Sequence, residues 1–161
     1  MKGAINTSVC FRVDAQTGAI AKGTWMCAWI NDHRQANTLR MENCAVDAAG
    51  NTYVVGASAG GLPLATPWLS PRPNEYTGGG FLALFDREMV LHQCGPWHPG
   101  SIDAVAVGTK VVVIGGHAEG VSSKTERRPI LPADHMRVIA PVAQSDIIGE
   151  GDAYVVIQHR P

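Results

Sequence analysis

The chain is poor in most of the features that announce a function. No apolar run approaches the roughly 20 residues that a membrane-crossing helix needs. The opening Met-Lys-Gly-Ala-Ile-Asn-Thr-Ser has one positive charge and no hydrophobic stretch behind it, so it does not read as a signal peptide. The expectation is a cytoplasmic chain or one piece of a larger or processed polypeptide. Charge of one sign is also missing: 13 Lys and Arg stand against 14 Asp and Glu, a net charge of −1. Neither nucleic acid nor an anionic membrane is the expected partner. The one basic cluster, residues 124–128, is interrupted by Glu126 and reads as a solvated loop. None of Cys10, Cys27, Cys44 and Cys94 forms a Cys-x-x-Cys pair, which excludes zinc-ribbon, thioredoxin-like and c-type haem readings. There is no long amphipathic helix; residues 133–140 alone suggest a helical turn.

What is present is turn chemistry and short apolar strands. Eighteen Gly and ten Pro in 161 residues favour a turn-rich β protein, and 45% hydrophobic residues with 17% charged suit a single domain with a real core. In residues 8–14, Val9, Phe11 and Val13 alternate, the period of a half-buried strand. Ala15-Gln16-Thr17-Gly18 makes a hairpin turn to a return strand over 20–29, and 31–37 is a polar connection. Residues 41–47 and 52–58 form a second hairpin around Ala48-Ala49-Gly50-Asn51. Residues 60–80 are a long loop with Pro63, Pro67, Pro71 and Pro73, where missing backbone donors disfavour helix and central strand. Strands over 81–86 and 89–94 follow, then a turn over 95–100, then a hairpin from 102–107 and 110–116. A second long loop spans 117–151, and the last of roughly nine strands is 152–159. Cys10, Cys44 and Cys94 lie on strands, where a free thiol behaves as a small hydrophobe; buried free thiols and one or two disulfides both remain open.

A repeat runs through this pattern. Residues 44–56 (Cys-Ala-Val-Asp-Ala-Ala-Gly-Asn-Thr-Tyr-Val-Val-Gly) and 105–115 (Val-Ala-Val-Gly-Thr-Lys-Val-Val-Val-Ile-Gly) are each strand, turn and strand ending in Gly, followed by a Gly-led strand. Asp14 precedes Asp86 by 72 residues, Gly80 precedes Gly151 by 71, and Gly56 precedes Gly115 by 59. Such spacing fits propeller-type blades with long insertions.

Residues 45–56, then Leu62-Pro63, then Gly78-Gly79-Gly80-Phe81-Leu82-Ala83-Leu84-Phe85-Asp86, resemble the SBBP-type bacterial β-propeller repeat. That family reads Ala-Val-Asp-x-x-Gly-Asn-x-Tyr-Val-x-Gly, then Phe-Pro or Leu-Pro, then Gly-Gly-x-Asp-Ala-Phe-Val-Ala-Lys. The resemblance implies an all-β fold of antiparallel four-stranded blades: a partial blade over 8–29, a full blade over 41–97, and a degenerate blade over 101–158 carrying the long loop 117–151. In strand letters the order is C–D, A–B–C–D, A–B–C. The last unit matches through Gly149-Glu150-Gly151-Asp152-Ala153-Tyr154 and departs at Gly108-Thr109-Lys110. About two blades make an incomplete propeller, since closure takes roughly 4–8. Members of the family are mostly extracytoplasmic interaction or surface modules with no shared catalytic motif. Asp14-Ala15-Gln16-Thr17-Gly18 further resembles the turn of quinoprotein-type propellers, but Lys22 stands where those place a docking Trp.

Candidate chemistry is sparse. His92 and His98 flank Cys94 without the three ligands a catalytic zinc wants. Gly56-Ala57-Ser58-Ala59-Gly60 matches Gly-x-Ser-x-Gly literally, yet a Pro-rich loop follows instead of the helix a nucleophile elbow requires. Asp47 with Gly50-Asn51 supplies one carboxylate, too few for calcium, and fits a turn whose Asp binds its own backbone amides. Gly78-Gly79-Gly80 lacks the Lys-Ser/Thr of a phosphate loop. Trp25, Trp29, Trp68, Trp97 and Tyr76 suit an interface or a core equally. No catalytic residue, metal ligand or cofactor site is expected. The expected function is a non-enzymatic scaffold or accessory subunit that docks through sheet edges and long loops, with a protein partner or self-association covering those edges. A fragment of a propeller enzyme and a glycan-binding surface module are the alternatives.

Overall fold

The computed structural model describes residues 5–30, 35–62, 79–97, 101–119, 128–129, 146–147 and 151–159. All regular structure among them is antiparallel β-sheet. In chain order the strands are β1 (Ser8–Val13), β2 (Ile20–Met26), β3 (Ala28–Ile30), β4 (Gln35–Asn37), β5 (Leu39–Val46), β6 (Thr52–Ser58) and β7 (Gly79–Phe85). They continue with β8 (Leu91–Trp97), β9 (Ser101–Val107), β10 (Val111–Glu119), β11 (Arg128–Pro129), β12 (Asp146–Ile147) and β13 (Gly151–His159). The all-β, antiparallel expectation therefore holds, and the described residues do not form a propeller. No helix among them is long and apolar enough to cross a membrane.

The organising element is the four-stranded sheet β5-β6-β7-β8. β6 carries Tyr53, Val54 and Val55 in succession, and β7 carries Phe81-Leu82-Ala83-Leu84-Phe85. Successive side chains point to opposite faces, so an unbroken apolar run buries both faces. One face presents Tyr53, Val55 and Leu82 to Ile102 and Val105 of β9 and Val112 and Ile114 of β10. The other presents Val54, Phe81, Ala83, Phe85 and Cys94, packed with Met26, Ala28, Leu39 and Leu62 and flanked by Cys10. The sheet β13-β10-β9 thus covers one side and the β1-β2 hairpin contributes to the other.

Bulges decide which residues face which core. In β5, Met41 pairs with Gly56 and Asn43 with Val55, leaving Glu42 as an extra residue. One extra residue reverses the alternation, so Leu39 and Met41 join one core while Ala45 joins the other. His92 is the extra residue of β8, between the pairs Phe85–Leu91 and Leu84–Gln93. In β9, Ile102 pairs with Gly116 and Ala104 with Gly115, leaving Asp103 over. The hairpins β5-β6 and β9-β10 therefore share one plan: an acidic bulge residue in the first strand and Gly at the matching place in the second. That plan aligns Gly56 with Gly116, one residue beyond the partner suggested by the sequence repeat.

Several boundaries differ from expectation. The return strand breaks at Cys27, and β3 turns back on β4 through Gln35 and Asn37, whose polarity hides strand pairing. β8 runs on through Pro96 to Trp97, because an edge strand tolerates the missing amide. β10 extends to Glu119, so the second long loop starts later than residue 117 and contains the short β11-β12 pair. The helical turn suggested for 133–140 lies outside the described residues.

Gly56 follows from the bulge. A Cβ there would sit 1.9 Å from the carbonyl oxygen of Arg40 and 3.0 Å from Cα of Met41, both backbone atoms that cannot step aside. Gly56→Ala should cost about 3 kcal/mol, the upper range for overpacking, and lower the urea midpoint; an unchanged midpoint would show that the two strands do not approach this closely. Gly18, at φ 71° with open space around it, should lose only about 1–2 kcal/mol on the same change, the cost of left-handed backbone.

Candidate functional site

The β1-β2 hairpin has two unlike faces. Ser8, Cys10 and Arg12 turn inward, while Val9, Phe11 and Val13 turn out. Inward, Ser8 Oγ donates to the carbonyl of Leu39 (3.1 Å) and accepts from the Met41 amide (2.9 Å). Arg12 donates to the carbonyl of Arg87, and Lys22 pairs with Glu88 at 2.8 Å. These bonds fix the hairpin from β5 to the turn between β7 and β8. Outward, the register sets Val9 opposite Trp25, Phe11 opposite Gly23 and Val13 opposite Ile20. The Phe11 ring lies over Gly23, where a Cβ would come within 2.7 Å of it. Trp25 is 72% exposed, Ile20 62% and Phe11 54%. Five large apolar side chains with no charge among them leave roughly 500 Å² of apolar surface, as much as the largest patch on a typical monomer.

The far side of the stack ends in the same way. Ile157 of β13 pairs with Val113 and Val155 with Gly115, and on β9 Ala106 and Ala104 complete the rows. Val155 is 73% exposed, and Ala104 and Ala106 are exposed beside it. Alternation had marked Val9, Phe11 and Val13 as one face of a strand; that this face is the open one is visible only once the hairpin is docked by its other side.

The residues singled out for chemistry fall elsewhere. Ser58 is 5% exposed, and its hydroxyl both donates to the Gly60 carbonyl and accepts from the Gly60 amide, each at 3.2 Å. Gly60 and Gly61 then take positive φ, so a turn follows and not a helix. Asp47 spends Oδ1 on the amides of Ala49 and Asn51 and Oδ2 on the Asn51 side chain, all at 2.9 Å, as a turn-capping Asp does. His92 lies 2.9 Å from Asp86. All four cysteines are free thiols, with Cys94 buried and Cys44 exposed on its strand. Burial pushes the Cys94 thiol up to about 12, and burial followed by the neighbouring Cys44 raises Cys10; neither is poised as a nucleophile. Among the described residues no three of His, Cys, Asp and Glu gather around a common point. Trp68, Tyr76 and His98 lie outside the described residues.

One polar cluster escaped the sequence. Ser101 pairs across the strands with His117, and the bulge at Asp103 brings a carboxylate to both. Ser101 Oγ donates to Asp103 Oδ1 (2.6 Å), and His117 Nδ1 lies 2.9 Å from both Ser101 Oγ and Asp103 Oδ2. A nucleophilic triad hands the serine proton to one ring nitrogen while the carboxylate holds the other. Here serine and carboxylate share Nδ1, and the serine proton points at the carboxylate. The arrangement is a strand-end clasp. Burial pushes the Asp103 carboxyl up, but hydrogen bonds from Ser101 and His117 outweigh it and hold it below the usual range.

No protein-family model, curated protein or solved structure matches this chain.

Carboxylates also set the pH response. The Thr17 backbone amide, then the Thr17 hydroxyl and the Gln16 amide, hold Asp14 below the usual carboxylate range. The Val90 amide and then His92 do so for Asp86. A carboxyl that resists protonation in the folded state stabilises the fold above its unfolded pKa, and that stability is lost as pH falls. Thermal melting should be level near neutral pH and fall below about pH 4, where an unfolded Asp protonates. In Asp86→Asn the fall should be shallower; an equal slope would mean the Asp86 turn contributes nothing to it.

Proposed function

We propose that this chain is a non-enzymatic scaffold or accessory module, built from propeller-type blades akin to the SBBP repeat, that docks into a larger assembly through its terminal sheets. The observation that carries this is the apolar end of the stack: Val9, Phe11, Val13, Ile20 and Trp25 form one uncharged face that nothing in the described residues covers. A face of this size equals the largest apolar patch on a typical monomer, and such patches are often functional. The shared bulge-and-glycine plan of β5-β6 and β9-β10 supports a repeated unit, and the sheets hold two, four and three strands in chain order, apart from the short β3-β4 and β11-β12 pairs. The best-formed polar cluster, at Ser101, has its proton directed away from a nucleophile's path.

A photo-crosslinking residue placed at position 11 in the producing cell should give an adduct of defined mass, and the same residue at the turn position 109 should give none. Equal yields at both positions, or none at either, would sink the proposal. The 72% exposure of Trp25 also suits a glycan platform; a fluorescence change on sugar titration that Trp25→Phe abolishes would favour that function instead.

A further inference from the structure

We infer that the partner is a second copy of this chain, joined head to tail, with the outer face of β9-β10-β13 from one copy seated on the outer face of β1-β2 from the next. This rests on the docking function proposed above and names its partner. The two terminal faces are unlike and complementary in relief. The hairpin face is bulky, with Phe11 and Trp25 standing from it. The opposite face is low, with Ala104, Ala106 and Gly115 in register beside Val113, Val155 and Ile157. No charged residue occupies either set of positions; the Ser101-Asp103-His117 clasp forms the next row of the β9-β10 face, so the seated area ends short of it and leaves that carboxylate in water.

The junction would repeat what the chain already does inside itself, where Tyr53, Val55 and Leu82 of one sheet meet Ile102, Val105, Val112 and Ile114 of another. Roughly 500 Å² from the hairpin face and a smaller area from its counterpart together stay below about 1,000 Å², the size of a weak interface whose occupancy depends on concentration. Like-on-like pairing would cover one face and leave the other bare, whereas head-to-tail pairing covers both. Because the two faces differ, such contacts close into rings or run on as filaments.

Light scattering after gel filtration, over a concentration series, tests this. The wild-type chain should elute above its 17.1 kDa monomer mass. Phe11→Glu removes one face and Val155→Glu the other, so either variant alone, lacking one half of every contact, should remain a monomer. Mixed together they should form a species at twice the monomer mass, through the one intact face of each. Trp25→Lys and Ile157→Lys form a second pair should a first variant lose its β-sheet circular dichroism. A wild-type monomer at every concentration overturns the inference, and so does a wild-type oligomer whose variants fail to complement. The underlying docking function is read separately in the monomer. An apolar dye bound at the face, with a Trp25→Phe difference spectrum typical of an exposed indole, leaves the face open to another protein. No dye binding, with a shielded Trp25, removes both.

Discussion

An antiparallel sheet normally keeps one face wet, and the β5-β6-β7-β8 sheet does not. Its two middle strands are apolar at nearly every position, so water can be tolerated on neither side and a neighbour is needed on each. The chain meets that demand with what precedes and follows the sheet. The N-terminal hairpin lies on one side, and β9-β10 lies on the other. Every later feature descends from this requirement. Each covering sheet has a second face of its own, apolar on the hairpin and, on β9-β10-β13, apolar up to the Ser101-Asp103-His117 clasp. Covering one sheet exposes the next, a recursion that only closure or a partner ends.

Much of this architecture could be read from residues in order. The alternation of Val9, Phe11 and Val13, the turn residues Gly18 and Gly50, and the apolar runs around Val54 and Leu82 each specify a strand or hairpin locally. Face assignment could not be read, because it depends on bulges. Leu39, Met41 and Ala45 share one parity along β5, yet they enter different cores because Glu42 adds a residue between them. Nothing in the local composition marks Glu42 as the position that does so; the mark lies on the partner strand, at Gly56, where backbone is pressed against backbone. The Ser101 clasp was hidden for the same reason, since Asp103 reaches Ser101 and His117 only as the odd residue of a bulge.

The hairpin turns show one solution used with two kinds of residue. Asp14, Asp47 and Asp86 each end a strand and draw following amides onto the carboxylate. In the first two turns the left-handed position falls to Gly18 and Gly50. In the third it falls to Met89, at φ 64°. Left-handed backbone costs a non-glycine residue about 1–2 kcal/mol, and Met89 offsets this by burying its side chain almost completely, worth about 1.5–3 kcal/mol. The balance explains why a turn that reads poorly in sequence is still formed, and why glycine there would relieve strain only to lose packing.

The energetics of the open faces bear on how firmly a partner can be held. Roughly 500 Å² of apolar surface corresponds to about 12 kcal/mol of gross burial. Association costs an estimated 4–15 kcal/mol in lost freedom before any of that appears as affinity. One hairpin face is therefore enough to make exposure unfavourable and too little to hold a partner tightly alone. A module with an open face at each end escapes the dilemma, because in a closed assembly the last contact forms within a single body and no longer carries the full cost of bringing two bodies together. The low relief of Ala104 and Ala106 against the bulk of Phe11 and Trp25 would then set orientation.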